Sequence, residues 1–304
     1  MNNLIFEQLL NSLQFGIMLF LIASGLTLIF GVMNFVNLAH GSFFMIGAYL
    51  AAWIAGATGS FWLGLAGALP LTALLGCALE WLIFRHLYKK SHMVHVLATF
   101  AFILIFNDAV RMLWGAQPLP LNMPAMFAGP VILFGLPYSS FRLLIMVVGI
   151  AVAVGLYLAI NKTRIGMWVR AGSHNLEMVT AMGINIRLLF RLVFSAGLVL
   201  AALAGIMLGP LVAVQAGMGD DVLILAFVVV VIGGIGSVAG AAIGALIVGV
   251  VDTLGRGLLP QLFALFLDAD AAASVGPAVG SMLIYLVMIV VLFWRPSGLF
   301  PART

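Results

Sequence analysis

The sequence predicts an all-α polytopic membrane protein of about 8–9 transmembrane helices, with one or two interrupted or re-entrant segments. Three observations predict it. Hydrophobic residues make up 64% of the 304 and charged residues only 7%, where soluble domains average roughly 45–50% and about 25%. The mean hydropathy is +1.26. The apolar residues also fall into long runs, and a spanning helix needs about 20 of them in succession.

Taken in order, the runs lie at about 9–32, 42–57, 61–84, 96–114, 141–160, 188–214, 222–232, 238–254 and 277–294. Gly, Pro, Asn and charged residues mark the breaks between them, as helix punctuation should. The opening MNNLIFEQLL has no basic leader and no small-residue cleavage site, so the first run reads as a retained helix. Residues 116–137 hold five prolines and no charge, which predicts an exposed, irregular or partly strand-like loop. The run at 222–232 is too short to cross a bilayer alone. Gly236, Gly240 and Gly244, and again Gly205 and Gly209, are spaced for close helix contact. Residues 25–52 and 226–254 share a run–glycine–run pattern that reads as a diverged internal repeat. Cys77 stands alone, so no disulfide is expected.

Two breaks do not look like ordinary loops. Residues 31–41, GVMNFVNLAHG, carry Asn34, Asn37, His40 and Gly41 but no basic residue. Residues 233–237, GGIGS, place Gly233, Gly234, Gly236 and Ser237 inside an apolar region. Non-helical backbone at membrane depth is tolerated only where protein buries it or where it lines a wet cavity. These residues, with Asn107 in the fourth run, are therefore the candidates for a broken helix or a translocation path.

The third long interval, 161–191, is the most polar stretch in the chain. It holds Lys162, Arg164, Arg170, Arg187 and Arg191 with one acid, Glu177. Arg85, Lys89 and Lys90 fall in a second interval, and Arg295 and Arg303 near the end. These ten of the thirteen basic residues lie on one side if the runs are separate spans, and the positive-inside rule makes that side cytoplasmic. Glu7, Asp220, Asp221, Asp268 and Asp270 then face outward. Nine spans put the N-terminus outside and the C-terminus in the cytoplasm. The pI near 9.6 thus reflects topology, and no nucleic-acid partner is expected.

No catalytic motif is present: no phosphate loop, no His-Glu-x-x-His, no paired cysteines, no nucleophile elbow. An enzyme is not expected, nor a metal site, since His40 is isolated from His86, His92 and His95. Among intramembrane acids, Glu80 is expected to reach the interface near Arg85. Asp108 with Arg111, and Asp252 with Arg256, have the spacing of structural ion pairs on one helix face. No buried acid–His relay of the kind a proton-coupled pump uses is visible. Within the polar interval, residues 175–182 carry a short amphipathic helix that stops at Gly183. It presents Met178, Ala181 and Met182 beside Glu177, a knob of the kind that docks into a partner's groove.

The stretch 25–49, GLTLIFGVMNFVNLAHGSFFMIGAY, resembles the signature region of bacterial branched-chain amino acid ABC importer permeases, more narrowly the LivH-like subunit. Residues 233–244 and 295–300 (RPSGLF) resemble that family's Gly-rich segment and its ending. Glu177 and Gly183 have the spacing of the importer coupling-loop signature, with Met178 and Val179 where two alanines are usual. The resemblance implies ABC importer permease architecture: one transmembrane permease domain over 1–304, with a coupling loop at about 161–187. It implies that Arg170, Asn175, Glu177, Met178, Ala181 and Gly183 meet the ATPase. The implied partners are a paralogous LivM-like permease, two ATPase subunits and an extracytoplasmic solute-binding protein in the bacterial inner membrane. ATP and Mg2+ belong to the ATPases and no cofactor to this chain. The implied cargo is a branched-chain amino acid or similar small solute. Urea, an amide or an aromatic acid is the alternative within the family, and an ATP-independent transporter or channel outside it.

Overall fold

The computed structural model describes residues 2–301 apart from 89 and 134. Lys89 and Arg303, counted above toward the basic side, lie outside the described residues. The helices are α1 (Asn2–Met33), α2 (His40–Thr58), α3 (Phe61–Leu82), α4 (His92–Trp114), α5 (Ser140–Lys162), α6 (Arg164–His174), α7 (Leu176–Ala181), α8 (Ile186–Leu208), α9 (Met218–Gly233), α10 (Val238–Phe263) and α11 (Ala269–Trp294). The proline-rich loop folds back as an antiparallel hairpin, β1 (Pro130–Leu133) and β2 (Leu136–Ser139), with Val131 opposite Tyr138. Among the described residues, eight helices are long and apolar enough to cross a membrane. The seventh predicted run, 222–232, becomes α9, whose 16 residues rise only about 24 Å.

α1 is the central post. It packs on α10, α8, α5 and α9, and from Phe15 onward it is apolar on nearly every face, as a buried membrane helix should be. α4, α5 and α11 are peripheral and largely exposed, with side chains such as Leu104, Val147 and Leu286 turned outward toward where lipid would lie. α1 and α10 run antiparallel: Gly249 lies on Gly16, and Gly257 lies beside Gln8. At its start α1 is joined to the hairpin and α5, because Tyr138 donates to Asn11 Oδ1 at 3.3 Å. At its far end, Gly31 touches Gly236. The C-terminal segment finishes at that same far end, where Leu299 and Phe300 donate to the Ile232 and Gly233 carbonyls, both at 2.9 Å. The two termini therefore sit at opposite ends of the bundle. The C-terminal end also carries Arg85, the α5–α8 connection and Arg295, and is called the basic end below.

The glycine spacings act inside the chain. A methyl on Gly244 would come within 2.6 Å of the Val229 carbonyl, and Gly205 backs directly onto Phe44. Small residues at these points let α9 meet α10, and α2 meet α8, backbone to backbone, where lipid supplies no hydrophobic drive.

Candidate functional site

At the basic end the chain turns three times between α5 and α8, and a capping side chain fixes each turn. Thr163 accepts from Gly166 N at 3.1 Å and starts α6. Arg170 reaches back to donate to the Ile160 carbonyl, an orphan acceptor at the end of α5. Asn175 ends α6 and caps α7, accepting from Met178 N at 2.9 Å. Gly183 stops α7 with φ 80°, a left-handed conformation that glycine adopts without strain. Asn185 then caps α8, accepting from Leu188 N at 3.1 Å. Asparagine at an N-cap stabilises a helix start by about 1 kcal/mol, so this polar sequence specifies its own fold. Val179 is buried and holds α7 to the bundle, while Glu177, Met178, Ala181 and Met182 are exposed. Of the two residues that stand in alanine positions, Met178 therefore faces out and Val179 anchors.

Behind α7 lies a buried polar joint. Glu80 does not reach the interface beside Arg85, as its sequence position suggests. Its side chain is 2% exposed and pairs with Arg191 at 3.1 Å, tying α3 to α8. Tyr88 donates to the other carboxylate oxygen at 3.2 Å. Burial, reinforced by the Glu80 carboxylate, pushes the Tyr88 phenol up, so it stays protonated as that donor. The sequence spacing misleads here because α3 ends at Leu82 and turns, leaving Arg85 stacked over Trp81 at 5.3 Å. A cleft of about 610 Å3 separates this joint from α7, with Leu176, Arg187 and Met33 in its wall.

The two predicted breaks differ. After Met33 the chain leaves α1 at Asn34, whose φ of 48° is left-handed, and runs without helical structure to a turn at Leu38 and Ala39. Phe35 plugs an aromatic cluster with Phe84, Tyr88 and His95. His40 then donates Nε2–H to the Ile22 carbonyl at 3.0 Å. Ile22 lies eleven residues before the end of α1, roughly 16 Å along its axis. The chain thus dips back to mid-depth before α2 begins. There Gly41 and Gly219 oppose each other so closely that a methyl on either would overlap the other's carbonyl. α2 and α9 accordingly start beside one another, deep in the bundle, and Asn107 donates to Asp220 Oδ2 at 3.3 Å. The second break stays at the basic end. Gly234 and Gly236 have φ of 109° and 81°, Ser237 caps α10, and the C-terminal segment closes over Gly233.

Residues 8–292 match the family described as the branched-chain amino acid transport system permease component. The chain belongs to this family. Among curated relatives, the high-affinity branched-chain amino acid transport system permease protein BraD of Pseudomonas aeruginosa is 30% identical, over 96% of this chain and 94% of its own length. LivH of Escherichia coli K12, with the same description, is 29% identical over 83% and 86%. A probable branched-chain amino acid transport permease protein LivH of Methanocaldococcus jannaschii is 28% identical over 93% and 88%. The chain is thus a multi-pass permease subunit of a transport system and not an enzyme.

In this permease the candidate path residues separate into two groups. Asn37, His40 and Gly41 are buried, and the His40–Ile22 bond and the close Gly41–Gly219 approach fix the break there. Asn34 and Gly236 border a cleft at the basic end. Gly236 and Thr27 also border a larger cavity of about 510 Å3 between α1, α5, α6 and α10, with Arg170 at its rim. Asp108 and Arg111 form their expected pair at 3.8 Å, but both are well exposed, where such pairs contribute little. Asp252 and Arg256 pair at 2.7 Å. The sequence reading missed their company: Gln8, Asn11 and Gln14 of α1 and Arg142 of α5 face the same cleft. The i, i+3, i+6 spacing of three amides in an otherwise apolar helix was the available signal.

Proposed function

We propose that this permease is the translocation subunit of an ATP-driven importer for branched-chain amino acids or a similar small solute. Its basic end faces the cytoplasm, with the N-terminus outside and the C-terminus inside, as the positive-inside rule requires. A second, LivM-like permease, two ATPase subunits and an extracytoplasmic solute-binding protein complete the complex, and ATP with Mg2+ binds to the ATPases. The observation that carries this reading is α7: a capped, six-residue helix that exposes Glu177, Met178 and Ala181 while Val179 fixes it to the bundle.

Such a helix suits a groove on a soluble partner. Nucleotide-driven closure of the ATPase pair would displace α7, and with it α6 and α8, which the Asn175 and Asn185 caps join to it. The Glu80–Arg191 pair would pass that displacement to α3. The Asn34–Ala39 dip and the Gly233–Ser237 turn are the non-helical points about which α1, α2, α9 and α10 can shift. The relatives' transport function supplies the solute class. Reconstitution in proteoliposomes with and without the ATPases is the test. Uptake should require ATP and the ATPases, and should fall at least tenfold in a Glu177→Arg/Gly183→Val double variant. Uptake without the ATPases, or indifference to that variant, refutes the reading.

A further inference from the structure

Charged residues are 7% of this sequence, yet six charged or amide side chains meet in one cleft near the end opposite the basic one. Gln8, Asn11 and Gln14 come from α1, Arg142 from the first turn of α5, and Asp252 and Arg256 from α10. The cleft holds about 430 Å3. Arg256 Nε donates to Asp252 Oδ1 at 2.7 Å, and the Asp252 side chain is 8% exposed. Arg142 donates to Asn11 Oδ1, which also accepts from Tyr138.

Charged side chains within membrane-spanning helices are costly and are usually retained for a use. Two guanidinia face the Asp252 carboxylate, and Glu7 lies near enough to act on the neighbouring Tyr138, so the cleft offers both signs of charge. Arg256 commits only Nε to Asp252, so its two Nη groups remain for an outside acceptor, and a guanidinium fork matches a carboxylate two-pronged. Asp252 in turn keeps its second oxygen as an acceptor. Charges of both signs, one residue's reach apart, match a ligand that bears both signs on adjacent atoms.

We propose that this cleft receives the solute as a zwitterionic α-amino acid, its carboxylate on Arg256 and Arg142 and its ammonium on Asp252. The inference rests on the import reading for its place at the outer mouth of the path. It also narrows the cargo. Urea or a simple amide has no charge to set against the pair, and an aromatic acid would bring an anion to the arginines and nothing to Asp252. Toward the basic end Gly249 lies on Gly16 and Ser12, and Gly149 lies on Ile17, so α10 and α5 each close on α1 in a constriction before the next cavity opens at Phe20 and Thr27. A cleft that narrows in this way suits reception of a solute better than free conduction.

The test uses the assembled permease–ATPase complex in lipid nanodiscs without the binding protein, with ligand-observed saturation-transfer NMR. The probes are leucine, its 2-oxo acid lacking the ammonium, and 3-methylbutylamine lacking the carboxylate. Leucine should give a signal at least fivefold above either analogue. The near-isosteric D252N/R256Q variant should lose that signal at an unchanged unfolding midpoint. T253W, which fills the cleft and leaves every charge in place, should lose it too. No leucine signal in the unaltered complex, equal signals from all three probes, or a leucine signal that survives both variants would overturn the proposal. Any of these results, where the same complex with its binding protein in proteoliposomes still imports solute on ATP, refutes the cleft alone. A complex without ATP-driven import refutes the reading beneath it.

Discussion

Replacing Gly249 by Ala tests the packing on which the two-cavity arrangement depends. A methyl at that position would lie 2.6 Å from Gly16 N and Cα and 2.7 Å from the Ser12 carbonyl, all backbone atoms of α1. Ordinary contact begins at 3.4 Å, so α10 must move off α1 by at least 0.8 Å, the difference between 3.4 and 2.6. No side chain can swing away to absorb this. Overpacking of this kind costs about 1–3 kcal/mol, and separation at this level also opens the constriction between the outer cleft and the basic-end cavity. The control is Gly56→Ala on α2, where nothing lies within 4 Å of the added methyl. That change should be neutral or stabilise by up to about 1 kcal/mol through helix propensity. Unfolding of the purified chain in mixed micelles, titrated with SDS, measures both. A Gly249→Ala variant as stable as Gly56→Ala would refute the α1–α10 contact.

Other predictions follow the same reasoning. Glu80→Ala strands Arg191 and Tyr88 without their shared acceptor; because Arg191 is 33% exposed, the loss should fall at the low end of about 3–5 kcal/mol, read by the same titration. Asn175→Ala removes the cap common to α6 and α7, costing about 1 kcal/mol. Hydrogen exchange should speed up at 176–181 while the rest of the bundle is unchanged, and ATP-coupled uptake should fall more than basal ATP hydrolysis. His40→Ala removes the second bond to the Ile22 carbonyl, which keeps its own bond within α1, and should cost about 0.5–1.5 kcal/mol, with no change in ATPase binding. A result at or below the Gly56→Ala control for Glu80→Ala or His40→Ala would remove that residue from its assigned role.

Much of the fold is legible in composition alone, because a bilayer permits few structures and a run of about 20 apolar residues can do little but span it. The α5–α8 connection is legible too, since Asn175, Gly183 and Asn185 act locally through caps and a left-handed stop. What sequence does not carry is depth and company. Asn37 and His40 read as residues of a broken helix or a translocation path, but that the chain turns back along α1 and buries both is a matter of depth. Glu80 reads as an interfacial acid beside Arg85, while its partner, Arg191, is more than a hundred positions away on α8. The amides of α1 gain meaning only when α5 and α10 bring Arg142, Asp252 and Arg256 against them. Each case is a long-range contact, which spacing along one helix cannot encode.

The central claim is that α7, at the basic end, is where this permease meets the ATPase. Single cysteines at Met178 and at Met126, exposed at opposite ends of the bundle, can be placed in a Cys77→Ser background and crosslinked in the assembled complex in membranes. The account predicts a covalent adduct with the ATPase subunit from position 178 and none from position 126. An adduct from 126, or none from 178 in a complex that hydrolyses ATP, would contradict it.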